Sequence, residues 1–550
     1  MTTTLSKLTA VRKDRVGTGL IWLSGAALAF QILLVVGLLL LLVVNGMGYF
    51  WQRPLVELVL KDGTKLCGEV HDTESILDRA RGDQVTGTRE KLKIGNRDVY
   101  GLDFKWIDAA QVASRSLPSD LVLLERSEYG NFYGRVLDVK RAGKSIVTEK
   151  TAVWPALQEA MVAAEQLRAQ VARLEKGPQG ALNTELEQVR LAERRAELSQ
   201  LSANAIQAKK DQLAATRADI QQRHERLATQ IQGLNEQLQA TSVAVTTADA
   251  RNLELPIGKV LSATLPNQLG AWDKTKLYAQ RLLEFLWGDP RESNTEGGIF
   301  PALFGTVLMV FLMTFVVTPL GVLAALYLRE YSRQGWLVRT VRIAVNNLAG
   351  VPSIVFGMFG LGFFVYGVGG TIDQLFYKEA LPAPTFGTGG ILWAALTLAL
   401  LTVPVVIVAT EEGLSAVPRN TREGALALGA TKLETTWRVV LPAAAPGILT
   451  GVILAIARAA GEVAPLMIVG MVKLAALPVD STFPFLHLER KFMHLGFHIY
   501  DVGFQSPNVE ATKPLVYATA LLLVGIVTVM NLGAIRLRNH LRRKYASSAV

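Results

Sequence analysis

The stretch VPRNTREGALALGATKLETTWRVVLPAAAPGILTG, residues 417–451, lies between two runs that are apolar enough to span a membrane. Asn420 is followed three residues later by Glu423. At this spacing, an N-cap side chain and an acidic side chain satisfy the backbone N–H groups of a helix start. The pair predicts a helix that begins at Thr421. Gly429 can adopt a positive φ and end that helix, so the stretch predicts a polar helix followed by a sharp bend.

The second half of the stretch repeats the pattern. Thr431 and Glu434 have the same capping spacing and predict a second helix, which Pro442 and Pro446 would end before the next span. A helix of about eight residues is marginal in water unless something packs on it. Two short helices at a membrane surface therefore favour a docking site for a partner protein. An amphipathic loop that lies on lipid headgroups is the alternative.

Two sets of side chains fit the docking interpretation. Small residues on the first helix would let another surface approach closely; they are Gly424, Ala425 and Ala427. Larger apolar residues are expected to pack the second helix under the membrane bundle; they are Leu433, Trp437, and Val440 or Leu441.

The composition indicates a membrane protein with a substantial water-soluble part. Of 550 residues, 50% are hydrophobic and 19% are charged, and the formal net charge is +10. Much of the basic charge flanks apolar runs, which the positive-inside rule explains, so a nucleic-acid partner is not indicated. The single cysteine, Cys67, excludes an intramolecular disulfide and a cysteine-based metal site.

Six apolar runs have about the length that a membrane-spanning helix requires. They are residues 20–44, 301–328, 343–368, 388–409, 447–470 and 514–536. The first run is longer than the core of a signal peptide, and no small-x-small cleavage site follows it, so we interpret it as an uncleaved anchor. Lys and Arg are enriched in alternate connections. The positive-inside rule then places the connection 410–446 and both termini, including the tail 541–550, in the cytoplasm.

These assignments divide the chain into three main parts. Residues 1–45 are a cytoplasmic N-terminus with the first span, residues 46–290 an extracytoplasmic domain, and residues 291–540 a transmembrane domain. Within the extracytoplasmic domain, residues 50–151 and 242–272 alternate apolar and polar side chains and predict β-strands.

The extracytoplasmic part also contains two local patterns. VELVLKDGTKLCGEV, residues 56–70, predicts a β-hairpin that turns at Asp62-Gly63. Residues 155–241 are rich in Ala, Gln, Glu, Arg and Leu, and the spacing of their apolar residues is typical of a coiled-coil seam. The seam residues are Leu167, Val171, Leu174, Ile220, His224, Leu227, Ile231, Leu234 and Leu238. GPQG, residues 177–180, predicts a break at which two unequal helical arms fold back. An uninterrupted solvated helix is the alternative for part of the arm.

The sequence predicts neither a catalytic nor a metal site. RAGKS, residues 141–145, contains Gly-Lys-Ser, but Asp138 stands where a phosphate-binding loop needs its first glycine. His487, His494 and His498 are close in sequence but lack the HExxH pattern, which favours an interfacial helix over zinc. We find no nucleophile–base set, so the chain is not expected to be an enzyme.

Arg458 and Glu462 are charged residues inside a predicted span. Counted from Pro446 at 1.5 Å per residue, Arg458 is about 18 Å along a span of roughly 30 Å. Charges at that depth usually face a bundle interior or an aqueous path. The four-residue spacing places the two on one helix face, where they can pair. The pair is either a structural lock or a gate in which Arg458 binds an anionic substrate and Glu462 holds the arginine until then.

Pro352 interrupts another predicted span. A simple kink is favoured slightly. The alternative is a discontinuous helix whose second half begins near Ser353 and directs backbone N–H groups at an anion. Asn346 and Asn347 would then line the same path or satisfy the carbonyl groups freed by the break.

EGALALG, residues 423–429, followed after nine residues by VVLP, residues 439–442, resembles the loop motif of ABC importer permeases. That motif is Glu-Ala-Ala, three residues, Gly, nine residues, an aliphatic residue, one residue and Leu-Pro. The residues in register are Glu423, Ala425, Gly429, Val439, Leu441 and Pro442, and Gly424 replaces the first motif alanine. The resemblance implies a coupling helix that docks on an ATPase subunit and transmits its closure. The implied docking residues are Glu423, Gly424, Ala425, Gly429, Leu441 and Pro442.

Three further segments resemble the A-type permease subunits of phosphate-specific ABC transporters, the PstA family. They are GGIFPALFGTVLMV, residues 297–310; NNLAGVPSIVFGMFG, residues 346–360; and ILTGVILAIARAAGEVAPLMIVG, residues 448–470. With the loop motif, the resemblance covers about residues 297–537. It implies an all-α permease bundle like that of type I ABC importers. The inserted extracytoplasmic α+β domain with its coiled-coil hairpin is similar to that of long family members.

The resemblance implies that the chain forms half of the path of an ATP-driven inorganic phosphate importer in a bacterial inner membrane. The implied partners are a second permease subunit (PstC-like), an ATPase dimer (PstB-like), an extracytoplasmic phosphate-binding protein (PstS-like), phosphate and the lipid bilayer. No cofactor is expected on this chain, because ATP and Mg would bind to the ATPase. The alternatives are a permease for another oxyanion, such as molybdate or sulfate, and a membrane-anchored coiled-coil scaffold or sensor.

Overall fold

The computed structural model describes residues 15–78, 84–147, 149–199, 202–480, 483–506 and 509–546. Within those residues, six helices are long and apolar enough to cross a membrane, as the sequence predicts. They are Gly19–Gly48, Phe300–Tyr331, Ser353–Phe376, Ile391–Ala416, Lys432–Gly461 and Val509–Lys544. Two predicted boundaries are wrong. The third helix begins at Ser353 instead of residue 343, and the fifth extends from Lys432 to Gly461 instead of from residue 447 to 470.

Antiparallel sheets follow the first helix, α1 (Arg15–Gly48). The strands of these sheets are β1 Leu55–Leu60, β2 Lys65–Asp78, β3 Gln84–Lys93, β4 Phe104–Asp108, β5 Val112–Ser116, β6 Val122–Arg126, β7 Phe132–Arg141, β8 Lys144–Ser145, β9 Thr241–Thr246, β10 Asn252–Pro256, β11 Val260–Thr264, β12 Pro290–Arg291 and β13 Glu296–Gly297. The short helix α2 (Arg97–Tyr100) lies between β3 and β4. One sheet has the order β4-β3-β2-β1-β5, and a second has the order β10-β9-β7-β6-β11 with β8 paired to β7. β12 and β13 form a separate two-stranded sheet. The predicted β1–β2 hairpin is confirmed, since Leu58 is the register partner of Leu66 and Gly63 has φ 84°.

Two long helical arms are inserted between β8 and β9 and form the helical hairpin. The first arm consists of α3 (Val153–Leu174), a π-helical segment (Glu175–Gln179) and α4 (Gly180–Leu198), and the second arm is α5 (Ala203–Ala240). The predicted break at GPQG is therefore wrong, because the first arm continues as a helix through Pro178. A π-helical turn accommodates the proline, whose missing N–H removes one regular helical hydrogen bond.

Apolar side chains pack the arms at both ends. Toward the tip, Leu182 and Val189 of the first arm share a core with Ile220 and Leu227 of the second. At the base, the arms and the second sheet share a core that includes Leu157, Ala160, Leu238, Val139 and Val243. The hairpin is therefore anchored on the sheet by the same hydrophobic burial that holds its two arms together.

The remaining helices include those of the membrane bundle, and α6 precedes them. In chain order, the remaining helices are α6 Ala271–Trp287, α7 Phe300–Leu326, α8 Trp336–Leu348, α9 Ser353–Phe359, α10 Gly370–Phe376, α11 Ile391–Ala416, α12 Arg419–Ala427, α13 Lys432–Glu434, α14 Leu441–Gly461, α15 Ala464–Val469, α16 Leu495–Tyr500 and α17 Val509–Ala546. π-helical segments join α9 to α10, join α13 to α14, and extend α7 to Tyr331. In the most apolar 18-residue stretch of each helix, 67% of the residues of α11 are buried and 0% of those of α1. α11 therefore lies at the centre of the bundle.

Small residues set the distance between the central helices. A Cβ atom on Gly447 of α14 would lie 2.6 Å from the Cα atom of Gly413 of α11. Such small residues allow two helix backbones to approach closely in a bundle. Because Gly451 of α14 lies against Ala409 and Val406, the two helices run antiparallel.

Three contacts connect the sheets and the helical hairpin to the bundle. Lys91 of β3 forms an ion pair with Glu510 at the start of α17. Lys176, in the first arm, pairs with Asp289, and Arg195 near its tip pairs with Glu379, which lies between α10 and α11. The hairpin therefore extends from the second sheet to the loop before α11.

Candidate functional site

The helix α12, predicted to be a coupling helix, begins earlier than the sequence predicts. It covers Arg419–Ala427, its N-cap position is Pro418, and no side chain caps it. The prediction of Asn420 as N-cap and Thr421 as first residue is wrong, because the extended backbone of Pro418 (ψ 145°) already leads into the helix. Asn420 consequently lies in the first helical turn.

The predicted bend at Gly429 is confirmed. Gly429 has φ 87°, and its N–H donates to the carbonyl of Leu426 at 3.0 Å. The N–H of Ala430 donates to the carbonyl of Ala425 at 3.2 Å. These two bonds form a Schellman motif, which satisfies carbonyl groups that the helix end leaves without partners. The chain therefore bends at a glycine, which has no Cβ atom to make the positive φ unfavourable.

The second helix of the elbow starts as predicted but does not end as predicted. The Thr431–Glu434 capping box is present, and the Thr431 N–H donates to Glu434 Oε2 at 2.9 Å. The helix then continues without interruption through Pro442 and Pro446 to Gly461. Pro442 lies at the first turn of α14, directly after the π-helical segment, where a missing N–H costs little. The second short helix is therefore the first part of a span.

We call residues 419–441 the elbow, and several large apolar side chains are exposed on it among polar ones. Leu428 is 91% exposed, and Leu426 is also exposed. Leu433 and Trp437 are exposed as well, so the prediction that they pack under the bundle is wrong. The buried stripe is set by the continuing helix and contains Val440, Ala444 and Ile448 at four-residue spacing.

The predicted docking residues divide between two environments. Glu423, Gly424 and Gly429 are exposed, and Ala425 is half-buried. Leu441 and Pro442 are half-buried, and Leu441 packs with the core residues at the ends of α7 and α11. The first group therefore faces outward from the elbow, while the second holds the elbow to the bundle.

Arg422 ties the coupling helix to two spans. Its Nη2 donates to Glu330 Oε1 at 3.0 Å, in the extension of α7, and to the carbonyl of Leu414 in α11 at 2.6 Å. Its Nη1 donates to the carbonyl of Val417 at 2.6 Å. Lys432 adds a contact to the same extension, with its Nζ 5.1 Å from the ring centre of Tyr331. Displacement of α12 is thereby mechanically connected to α7 and α11.

Arg458 and Glu462 form an ion pair at a helix end. Arg458 Nε lies 3.6 Å from Glu462 Oε1, and the two side chains are 33% and 20% exposed. The expectation that both lie on one continuous helix is wrong, because α14 ends at Gly461 and Glu462 has an extended backbone. Arg458 is thus in the last turn, where a cation interacts favourably with the helix dipole. The antiparallel pairing with α11 places it near the middle of that helix.

A second helix interruption lies beside the first. α8 ends at Leu348, and Pro352 is the extended residue before Ser353 starts α9. The expectation of a simple kink is wrong, because the chain leaves the helix completely between these elements. A Cβ atom on Gly357 would lie 2.7 Å from the Cα atom of Pro465 in α15. Ser353 lies four residues before Gly357, and Glu462 lies three residues before Pro465. Because Gly357 contacts Pro465, the two helix interruptions lie at the same level of the bundle.

Asn346 and Asn347 do not belong to the same helix as Ser353. Both are exposed near the end of α8. Asn346 lines a cavity of about 640 Å³ that also contains Arg342 and Glu411. Arg342 Nε donates to Glu411 Oε1 at 3.1 Å, which attaches α8 to the end of α11. The two asparagines are therefore placed toward the elbow end of the bundle.

Sequence reasoning missed Arg422 and its partner Glu330. The available signal is weak: Arg422 directly precedes the motif residue Glu423, and Glu330 is the acidic residue in the run Tyr327–Tyr331. The two are 92 positions apart, so only the packing of α12 against α7 brings them together.

Comparisons with known proteins identify relatives of this chain. Residues 317–546 match the family of binding-protein-dependent transport system inner membrane components. The chain is 35% identical over 244 residues to the phosphate transport system permease protein PstA of Yersinia pestis, covering 44% of this chain and 73% of that protein. It is also 35% identical over 244 residues to PstA 1 of Mycobacterium tuberculosis strain CDC 1551 / Oshkosh, covering 44% and 71%.

Among solved structures, the chain is similar to that of the MetNI methionine ABC transporter in an inward-facing conformation. The identity is 18% and the TM-score is 0.32, with 48% of this chain and 97% of that chain covered. The identity and coverage of the PstA relatives determine the family. The chain belongs to the PstA family of ABC transporter permeases, which are multi-pass inner-membrane components and are not enzymes themselves.

Proposed function

We propose that this chain is the permease subunit of an ATP-driven inorganic phosphate importer. The observation that carries the proposal is the elbow: an exposed coupling helix, bent at Gly429 and tied by Arg422 to two spans. Leu426, Leu428, Leu433 and Trp437 of the elbow are exposed in the described chain, as is expected of apolar side chains that contact another subunit. Phosphate is the substrate because two relatives at 35% identity are named phosphate transport system permease proteins.

The elbow faces the cytoplasm in this proposal, together with the N-terminus and the tail 541–550. The basic residues in the connections on the elbow side support this orientation. Residues 46–290, which contain the sheets and the helical hairpin, then form the extracytoplasmic domain. Residues 291–540 form the permease bundle of the type I importer class.

Three protein partners complete the transporter. A PstB-like ATPase dimer, which binds ATP and Mg, receives the elbow through Leu426, Leu428 and the surface around Gly424. A PstC-like permease subunit forms the other half of the path, and a PstS-like binding protein delivers phosphate from outside. Closure of the ATPase pushes α12, and the Arg422 contacts pass that displacement to α7 and α11.

Phosphate crosses at the level of the two helix interruptions. Arg458 is the phosphate-binding group, since its planar guanidinium donates two parallel hydrogen bonds to an oxyanion. Glu462 holds Arg458 when no phosphate is bound; their 3.6 Å separation is an ion pair without a direct hydrogen bond, so a stronger acceptor displaces it. The N-terminus of the helix that starts at Ser353 adds backbone N–H groups on the same level. Asn346 and Asn347 line the path nearer the elbow.

The proposal is tested by uptake of radiolabelled phosphate into proteoliposomes that contain the complete complex. Arg458→Gln is expected to abolish uptake while the ATPase still co-purifies, and Arg458→Lys is expected to retain a small part of it. Arg536→Gln, an exposed arginine near the end of α17, is the matched control and is expected to transport normally. Normal uptake by Arg458→Gln would indicate that the Arg458–Glu462 pair has a structural role and does not bind phosphate.

Two further results decide between the alternative functions. Excess unlabelled phosphate is expected to suppress uptake, whereas excess molybdate or sulfate is not. Suppression by molybdate or sulfate alone would identify a different oxyanion. Failure of any ATPase to co-purify with the wild-type chain would favour the membrane-anchored scaffold.

A further inference from the structure

A cavity of about 550 Å³ lies where the sheets meet the ends of two spans, and we call it the junction cavity. Its walls come from β2, β3 and α6, and its floor from Val44 and Asn45 of α1 and Tyr517 of α17. The apolar run of α1 ends here, so the floor lies where a span leaves the hydrocarbon core for the headgroup region. Tyr49 and Trp51 line the same opening, as aromatic residues do at membrane interfaces.

Several basic groups of the junction cavity keep donors that no described acceptor uses, although Arg291 also pairs through Nη1 with Glu284 at 3.0 Å. Lys93 forms no ion pair with any described residue, and the Nε of Arg291 is buried without a hydrogen-bond acceptor in the part of the chain that the structure describes. Arg53 uses only Nη1, which donates to the carbonyls of Val70 and His71. Burial and the nearby charges of Arg53 and Lys93 lower the pKa of His71 to about 4. An oxyanion would satisfy these donors.

Acidic groups line the same cavity. Glu69 accepts a hydrogen bond from Gln52 Nε2 at 2.9 Å, and Glu296 lies in β13, directly opposite Arg291 of β12. Burial raises the pKa of both carboxyl groups, and Lys93 opposes the shift in each. Two desolvated carboxylates favour a ligand that brings its own cation. In total, the cavity is lined by seven Lys or Arg side chains and six Asp or Glu side chains. Its overall charge therefore matches a zwitterion better than a simple anion.

We propose that the junction cavity binds the headgroup of a zwitterionic phospholipid with a primary ammonium group. The phosphodiester faces Lys93 and Arg291, and the ammonium faces Glu69 and Glu296. The acyl chains then follow α1, whose apolar side chains are exposed along the span. An ethanolamine headgroup fits better than choline, because a primary ammonium donates three hydrogen bonds to carboxylates and a quaternary one donates none. Free phosphate shares the oxyanion chemistry but leaves the acidic groups without a partner.

The test uses the complete complex in nanodiscs that contain equal amounts of ethanolamine, choline and glycerol phospholipids, with bound lipid measured by native mass spectrometry. The wild-type complex is expected to retain the ethanolamine lipid selectively. Lys93→Met and Glu296→Gln are each expected to reduce its retention about tenfold, the scale of a lost charge-assisted hydrogen bond. Lys105→Met, on the adjacent strand β4 and exposed outside the cavity, is the matched control and is expected to retain the lipid.

A second arm distinguishes the two sources of phosphate chemistry. Addition of inorganic phosphate is expected to leave the bound lipid in place. Displacement of the lipid by inorganic phosphate, equal retention of all three lipids, or unchanged retention in both cavity variants would each overturn the proposal. Unfolding temperatures of the variants are measured in parallel. If the unfolding temperature of a variant differs from that of the wild type, the variant is replaced by Glu69→Gln. Glu69→Gln is also expected to reduce retention of the ethanolamine lipid, and unchanged retention would overturn the proposal.

Discussion

Arg422 of the coupling helix and Glu330 at the end of α7 form an ion pair with an N–O distance of 3.0 Å, and their side chains are only 19% and 15% exposed. The same guanidinium donates to the carbonyls of Leu414 and Val417, so one side chain joins three elements. A half-buried pair of this kind is screened less by salt and solvent than a surface pair. The contact links α12 directly to α7 and to the end of α11.

Arg422→Gln is expected to uncouple transport from ATP hydrolysis. Loss of charge-assisted hydrogen bonds, each about 1.5–3 kcal/mol, would let α12 move without moving α7 and α11. We expect phosphate uptake to fall about tenfold or more while the ATPase remains bound and active. Arg419→Gln changes an exposed arginine on the same helix and is the control for loss of charge. Equal effects of the two substitutions in parallel uptake and ATP hydrolysis assays would contradict the linkage.

Gly429→Ala is expected to weaken ATPase docking through the backbone alone. A Cβ atom at this position would meet nothing within 4 Å, but φ 87° is unfavourable for a residue with a side chain and costs about 1–2 kcal/mol. Gly429→Asn should cost less, because asparagine tolerates the left-handed region better. The measurement is the amount of ATPase that co-purifies with the permease.

Gly424→Ala is the control for this experiment. Gly424 lies inside α12 with open space around it, so alanine adds helix propensity of up to about 1 kcal/mol without a clash. Docking is expected to be preserved, because alanine is the residue that the permease loop motif has at this position. If both glycine substitutions reduced co-purification alike, the loss would come from added side-chain volume and not from the bend.

Gly357→Ala is expected to separate the two helix interruptions. Its Cβ atom would lie 2.7 Å from the backbone of Pro465, which moves only if α9 and α15 part. Overpacking of this kind costs about 1–3 kcal/mol, so we expect a lower unfolding temperature and reduced uptake. Gly362→Ala, in the same span but with nothing within 4 Å, should leave both unchanged. Identical unfolding curves for the two variants would show that the contact does not hold the site together.

The helical hairpin offers a prediction about its resting position. Arg195 Nε lies 3.2 Å from Glu379 Oε1, so cysteines at these two positions are expected to cross-link efficiently with a short bifunctional thiol reagent in the complete complex. The background should be low because Cys67 is the only native cysteine and burial raises its pKa to about 12. Arg194→Cys paired with Glu379→Cys is the control, since Arg194 points to Glu197. Comparable yields from both pairs, read on denaturing gels, would argue against the docked position.

Several features of this protein follow from local sequence. The positive φ of Gly429, the Thr431–Glu434 capping box and the β1–β2 hairpin depend on interactions within a few residues, and each is confirmed. The six spans also follow from local composition, because a membrane-spanning helix needs a continuous apolar run. Such features form from local interactions and do not depend on one particular tertiary contact.

Other features were decided by the tertiary structure. Pro178, Pro442 and Pro446 remain inside helices, whereas Pro352 lies at a complete interruption. A proline removes one hydrogen bond wherever it stands, and whether the helix continues depends on neighbouring elements and on irregular turns that absorb the defect. In the same way, Arg422 acquires its role only when α12 is packed against α7. The sequence alone therefore determined which segments cross the membrane and where the elbow bends. Tertiary packing decided which side chains connect the elbow to the spans, because those contacts join residues far apart in the chain.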